Sequence, residues 1–301
     1  MAIPPNSVFE HPDLAASHDW RDIAAKVGDL PPMPHVASRA IALVENPEAT
    51  AHALSDILSK DTALAARVLK IANSAMFSRQ RKITTLNHAV MTIGFKGLKG
   101  IIIAAALRQM NKSFSPAEKM VWERSVATAI CATALARRLK RRYVDELFLV
   151  GLLHSLGQVV LLAKKETAER YGEVLRCIEL EGLDFIGAEE RVFGFSHPLL
   201  GALVAKKWNF SGETCQVILH YRDSFEAVTS ESEEQAIIVR LAEIVTHKSG
   251  IGSPPGYPDE EVAALELLAS LGLEPSEAPE ALAELVSSTR SQFEAERALY
   301  E

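Results

Sequence analysis

The sequence predicts an all-α protein of two helical lobes followed by tail helices. Three observations carry this. Apolar residues recur at helical spacing along most of the chain, as in Leu54, Ile57 and Leu58, or Leu64, Val68, Leu69 and Ala72. Helix-start signals stand ahead of these stretches. No segment keeps the alternation of a strand.

Taken in order, Met1 to His18 contains prolines and is weakly patterned, and residues 1–29 read as an N-terminal extension. Leu30-Pro31-Pro32-Met33-Pro34 is extended, because each proline pushes its predecessor out of helix. Asp61 caps a helix carrying Leu64 and Val68. Ser115-Pro116-Ala117-Glu118 is a capping box with proline at the first helical position, and its helix runs to about Lys140. Asp145 caps the helix of Phe148 and Leu152, while Ser196 and Ser211 cap two more. Ser232-Glu233-Glu234-Gln235 is a second capping box, opening a helix to about His247. Gly94, Gly157, Gly182 and Gly272 read as helix stops. Ser249 to Pro258 is the strongest break in the chain. Beyond it, Asp259 to Leu271 and Ser276 to Tyr300 are helical, and their amphipathic pattern suits packing back on the core. The first lobe thus covers 30–111, a helical bundle 112–250, and the tail 251–301.

Composition excludes several classes. The 301 residues are 48% hydrophobic and 24% charged, ordinary for a globular chain. A net charge of −7 opposes general nucleic-acid affinity. Cys131, Cys177 and Cys215 are odd in number and form no CxxC pair. This argues against disulfides and thiolate zinc, and suits a reducing cytoplasm. Met1 to Glu10 lacks the basic start and apolar stretch of a secretory signal. The longest aliphatic run, Ile101 to Leu107, is far too short to span a bilayer.

Two regions resemble the HDOD family, the HD-related output domain of bacterial signalling proteins. The first combines Leu30-Pro31-Pro32-Met33-Pro34, the helix start at Asp61-Thr62-Ala63-Leu64, and the stop at Asn73-Ser74-Ala75, with Leu86 to Gly94 beyond. The second contains Trp122-Glu123-Arg124-Ser125, Gly151-Leu152-Leu153-His154-Ser155-Leu156-Gly157, His197-Pro198-Leu199-Leu200-Gly201 with Trp208, and His220-Tyr221. The resemblance covers about Leu30 to Gly250, and implies an HD-phosphohydrolase-like core in the bundle.

An HD hydrolase holds divalent metal between helices and uses it to polarise a phosphate and deliver hydroxide. By that resemblance, Arg124 stands at the first histidine and Ser155 at the aspartate that follows His154. Tyr221 replaces the second histidine of a pair, and Glu243 stands near the terminal aspartate. The residues left are His154, His197, His220 and Glu243, the set that would hold a metal if one were bound. Arg124 sets a positive charge against a cation and would favour an anion. The expectation is therefore no metal, no cofactor and no catalysis, with Arg124, His154, Ser155, His197, His220, Tyr221 and Glu243 lining a relic pocket. Each histidine also has a plain structural reading: His154 as a core residue, His197 at a helix start, and His220 in a last helical turn. His35, His52, His88 and His247 read as surface or helix-face residues.

The leading reading is a non-catalytic scaffold that binds partner proteins. The resemblance implies kinases, response regulators or cyclic-dinucleotide enzymes as partners, and a homodimer is compatible with it. The chain carries no receiver, kinase or cyclase pattern, so such a protein acts in trans. One alternative is a divergent metal-dependent phosphohydrolase. A weaker one is a nucleic-acid-binding regulator using Arg137, Arg138 and Lys140 to Arg142, or Arg79, Arg81 and Lys82.

Overall fold

The computed structural model describes residue 23 and residues 30–77, 82–110, 115–224 and 228–300. All regular structure among them is helical. The first lobe holds α1 (His35–Val44), α2 (Ala51–Leu58), α3 (Thr62–Ala72) and α4 (Leu86–Met110). The first three pack on α4. Asp61 caps α3 by accepting from Leu64 N at 2.9 Å. Asn73 ends it: the side chain donates to Leu69 O at 2.7 Å and Ile83 O at 2.8 Å, and accepts from Ile83 N at 2.8 Å. The Asn73-Ser74-Ala75 stop therefore fastens α3 to the segment that leads into α4.

The bundle holds α5 (Pro116–Arg138), α6 (Val144–Leu153), α7 (Leu156–Ala163), α8 (Lys165–Glu181), α9 (Phe185–Phe193), α10 (His197–Lys207), α11 (Gly212–His220) and α12 (Glu231–Lys248). Helix α5 runs through its middle, against α6, α7 and α12, and α7 packs on α10. The Ser115 capping box is formed as its spacing predicts. The extended Leu30–Pro34 segment docks on the end of α10, where Lys207 Nζ donates to Leu30 O at 2.6 Å and Trp208 Nε1 to Pro31 O at 2.9 Å.

Two tail helices follow, α13 (Glu261–Ser270) and α14 (Ala278–Tyr300). They pack back on the molecule, with α14 touching α3, α5 and α12. Trp122 Nε1 donates to Tyr300 O at 3.1 Å. One apolar core runs from Ala37 to Tyr300 through both lobes, and a second joins α5, α6, α11 and α12 to the tail. Two apolar stretches, Leu86–Met110 and Val144–Ala163, match a bilayer in length and hydropathy. They are 61% and 89% buried inside the fold, as core helices are.

Several local expectations change. The α12 capping box is Ser230 with Glu233, because the same Ser-x-x-Glu spacing occurs two residues earlier. Tyr143, which makes no side-chain cap bond, precedes α6, and Asp145 sits inside its first turn. Ser196 makes no cap bond, because Glu189 takes that role for α10. Gly94 kinks α4 (φ 82°) instead of ending it. Gly157 lies inside α7, since α6 already stops before His154. A Cβ at Gly157 would stand 2.9 Å from His197 Cα, so the glycine is what lets α7 cross close to α10.

Candidate functional site: a filled HD-like centre

The helices α5, α7, α9, α10, α11 and α12 bring a set of polar side chains to the middle of the bundle. Arg124, His154, Ser155, Gln158, Glu189, His197, Tyr221 and Glu243 are each at most 1% exposed. Buried polar groups at this depth need partners, and here they supply one another.

Glu189 is the hub. Its Oε2 accepts from both the backbone N–H and ring Nδ1 of His197, each at 2.7 Å. Its Oε1 accepts from Gln158 Nε2 at 2.6 Å and from Tyr171 OH at 3.1 Å. The Gln158 carbonyl accepts from Arg124 Nη2. Across the site, His197 Nε2 lies 2.7 Å from Tyr221 OH, which lies 3.3 Å from Glu243 Oε1. With Nδ1–H committed to Glu189, the hydroxyl proton goes to the nearer acceptor, His197 Nε2. Burial and the Glu243 charge hold the Tyr221 phenol well above its ordinary pKa, so it stays protonated.

Glu243 is held by charge. Its Oε2 accepts from Arg222 Nη1 at 2.9 Å and from Arg240 Nη1 at 2.7 Å. Burial pushes the carboxyl up, but the two guanidinium groups outweigh it and hold Glu243 well below the carboxylate range. Arg222 also binds Asp184, and Arg240 binds Glu260. Two arginines and three carboxylates thus form one partly buried network.

Arg124 reaches Gly252 O through Nη1 at 3.4 Å, and its guanidinium lies 4.1 Å over the Phe185 ring. Gly252 has φ +59°, and a Cβ there would meet Arg124 Cβ at 2.6 Å, so this glycine seats the Ser249–Pro258 loop on α5. The sequence-based expectation of an anion beside Arg124 meets a closed interior, because this guanidinium is already stacked and hydrogen-bonded. His154 Nδ1 lies 2.6 Å from Gly151 O, and its ring meets Tyr221 edge-on at 5.4 Å. Burial pushes its pKa down to about 4, so the ring is neutral. Ser155 Oγ is bonded to Ser125 Oγ, which donates in turn to Val121 O at 2.7 Å.

Of the residues expected at the site, Arg124, His154, Ser155, His197, Tyr221 and Glu243 come together. His220 does not. Its ring turns outward to Asp223 Oδ2 at 2.6 Å, one helical turn on, with 27% of the side chain exposed. His247 corrects the expectation in the other direction. It is buried beneath the Ser249–Pro258 loop, its ring stacked on Tyr257 at 4.0 Å. Burial, followed by the Arg124 charge, lowers its pKa well below the ordinary value. Sequence reasoning also missed Gln158, Glu189, Arg222 and Arg240.

The donor set does not fit a divalent metal. His197 has both ring nitrogens engaged, Glu243 Oε2 is taken by Arg222 and Arg240, and His220 is elsewhere. Ser155 offers a hydroxyl where a hard anion is needed. Among the described residues, no group of three or more His, Cys, Asp or Glu side chains is placed to hold a metal ion. His154 Nε2 and Arg124 Nε are left without hydrogen-bond partners.

In the basic cluster at the end of α5, three of the five side chains are paired with carboxylates. Arg138 pairs with Glu284 at 2.7 Å, Arg141 with Glu234 at 2.6 Å and Arg142 with Glu231 at 3.5 Å. Arg137 donates to Met76 O at 3.1 Å. Arg79 and Arg81 lie outside the described residues.

This is an all-helical, HD-like architecture. The family model of the HDOD domain matches residues 30–224, and the chain belongs to the HDOD family. A relative from Treponema pallidum (strain Nichols), named only as an uncharacterized protein, is 28% identical over 200 residues, 65% of this chain. The chain spans 37% of that relative's length. An HDOD domain protein of unknown function from Geobacter sulfurreducens is similar in structure, with TM-score 0.71 and 24% identity over 91% of this chain and 96% of that one. A Shewanella amazonensis protein named as a candidate phosphohydrolase gives TM-score 0.64 and 24% identity, over 90% and 97% of the two chains. At these identities the likeness is one of fold.

Proposed function

We propose that this HDOD protein is a non-catalytic signalling module that works through contacts with other proteins. The observation that carries the reading is the Gln158–Glu189–His197–Tyr221 chain, which with Glu243 held by Arg222 and Arg240 fills the HD-like centre with its own hydrogen bonds. A phosphoester substrate entering there would have to break several of these bonds and leave buried charges unpaired. Losing one partner of a buried pair costs about 3–5 kcal/mol. The family resemblance adds a bacterial signalling context, with kinases, response regulators or cyclic-dinucleotide enzymes as the partner classes.

The test is hydrolysis of bis(p-nitrophenyl) phosphate with added manganese, iron or zinc. This reading expects no rate above that of the metal in buffer. A rate that follows protein concentration and disappears in His197→Ala would overturn it in favour of a divergent phosphohydrolase.

A further inference from the structure

Among the contacts that hold the first lobe to the bundle, one has the chemistry of a peptide site. Lys207 and Trp208, at the end of α10, offer only donors to the Leu30–Pro34 segment: Lys207 Nζ reaches Leu30 O at 2.6 Å and Trp208 Nε1 reaches Pro31 O at 2.9 Å. Neither an ammonium nor an indole N–H accepts a hydrogen bond. The Phe210 ring stands beside that of Trp208, with centroids 6.5 Å apart. Such a ledge suits an extended segment that shows its carbonyls and needs no acceptor for its N–H groups. Proline has no N–H, and polyproline II leaves its carbonyls free of internal bonds. Pro34 has φ −51° and ψ 131°, close to that conformation. Aromatic-lined grooves take proline-rich peptides in this form.

The resident segment is lightly held. None of residues 30–34 is fully buried, and Pro32 is exposed. Ile23 before the segment and Ala37 after it are buried, so the chain is anchored on both sides. Between those anchors the segment rests on the two hydrogen bonds and the half-buried Leu30 and Met33.

We propose that the Lys207–Trp208 ledge is a docking site for an extended proline-rich segment of a partner protein, covered in this chain by its own Leu30–Pro34. The proposal rests on the protein-contact reading above and names the chemistry of the partner. The resident segment lifts as a loop with α1 in place, and the incoming segment supplies carbonyls to the same two donors. A resident competitor lowers the apparent affinity by the fraction of time the ledge is open.

The test titrates the full chain, and its Pro31→Gly, Pro32→Gly double variant, with a synthetic peptide of residues 30–36 capped at both ends. The readouts are the Trp208 indole N–H signal by NMR, the heat of binding, and sedimentation. None involves hydrolysis, so failure of this proposal and failure of the non-catalytic reading show separately. Glycines loosen the resident segment and leave the ledge untouched. The expected result is saturable binding that moves the Trp208 signal and is at least about tenfold tighter in the double variant, a shift of about 1.4 kcal/mol. A peptide with alanine at each proline loses its preorganisation and should bind at least about tenfold more weakly. Adding Trp208→Phe to the double variant removes the indole donor and should weaken binding by a similar factor. The comparison of the two peptides on wild type stands even where a variant unfolds. Absence of binding overturns the proposal, as does equal affinity for the two peptides or equal affinity of wild type and double variant. A double variant that self-associates and ignores the peptide assigns the ledge to a second copy, and also overturns it.

Discussion

One carboxylate oxygen, Glu189 Oε2, takes both the backbone N–H and the ring Nδ1–H of His197, each at 2.7 Å. A single side chain on α9 therefore caps α10 and fixes the orientation of its first histidine. The Glu189 carboxylate is wholly buried, so its loss strands His197, Gln158 and Tyr171 together. Glu189→Ala is expected to destabilise the fold by about 3–5 kcal/mol in urea unfolding. Glu189→Gln, which keeps the shape and one acceptor, should cost less. Equal, small effects of both would contradict a hub role.

Acid should weaken the fold. His154 titrates near 6.5 when unfolded and is pushed down to about 4 in the fold, by burial first of all. The unfolded chain thus binds a proton that the folded chain refuses. Stability contributed by the neutral ring is complete above the unfolded pKa and is lost as pH falls toward the folded one. The full difference is about 3 kcal/mol. His247 is shifted in the same direction. Urea midpoints compared at about pH 7 and about pH 5 should fall on acidification. His154→Leu should flatten the slope by up to about 1.4 kcal/mol per pH unit, the contribution of one proton.

Gly157→Ala is expected to force α7 away from the His197 backbone and cost about 1–3 kcal/mol, the range for an overpacked core. The neighbouring network should loosen with it, visible as faster exchange of the His197 amide. A variant as stable as wild type would mean that the helices part easily.

Deleting residues 278–301 removes Leu282, Leu285 and Phe293 from the core and the acceptor of Trp122 Nε1. The truncated chain should bind a hydrophobic dye and melt at lower temperature, because burying each large apolar side chain contributes about 1.5–3 kcal/mol. Unchanged melting would make the tail an independent appendage.

The helices were legible because capping boxes and apolar spacing are local signals. Asp61, Ser115 and Ser211 cap as their sequence context predicts. The site was half legible. Arg124, Ser155 and Tyr221 stand out once the motif order is recognised, but Gln158, Glu189, Arg222 and Arg240 lie outside the motifs. Glu189 looks like one of an exposed Glu-Glu pair. Its signal is its place between Phe185 and Phe193 on one apolar stripe of α9, all three being buried. Arg222 and Arg240 become site residues only through Glu243, which Arg222 reaches from the turn after α11 and Arg240 from three residues earlier on α12. His247 sits next to Lys248 at a helix end and reads as exposed; the folding back of the following loop, which no local pattern announces, buries it. His220 was misplaced because one helical turn carries it out to Asp223, away from the adjacent Tyr221 that points inward.

The central claim is that the HD-like centre is filled by protein groups and holds no metal. Its most direct test is metal content of the purified full chain by inductively coupled plasma mass spectrometry, before and after chelation, for wild type and His154→Ala. The account predicts substoichiometric metal in both, unchanged by the substitution. One equivalent of iron, manganese or zinc in wild type that disappears in His154→Ala would contradict it.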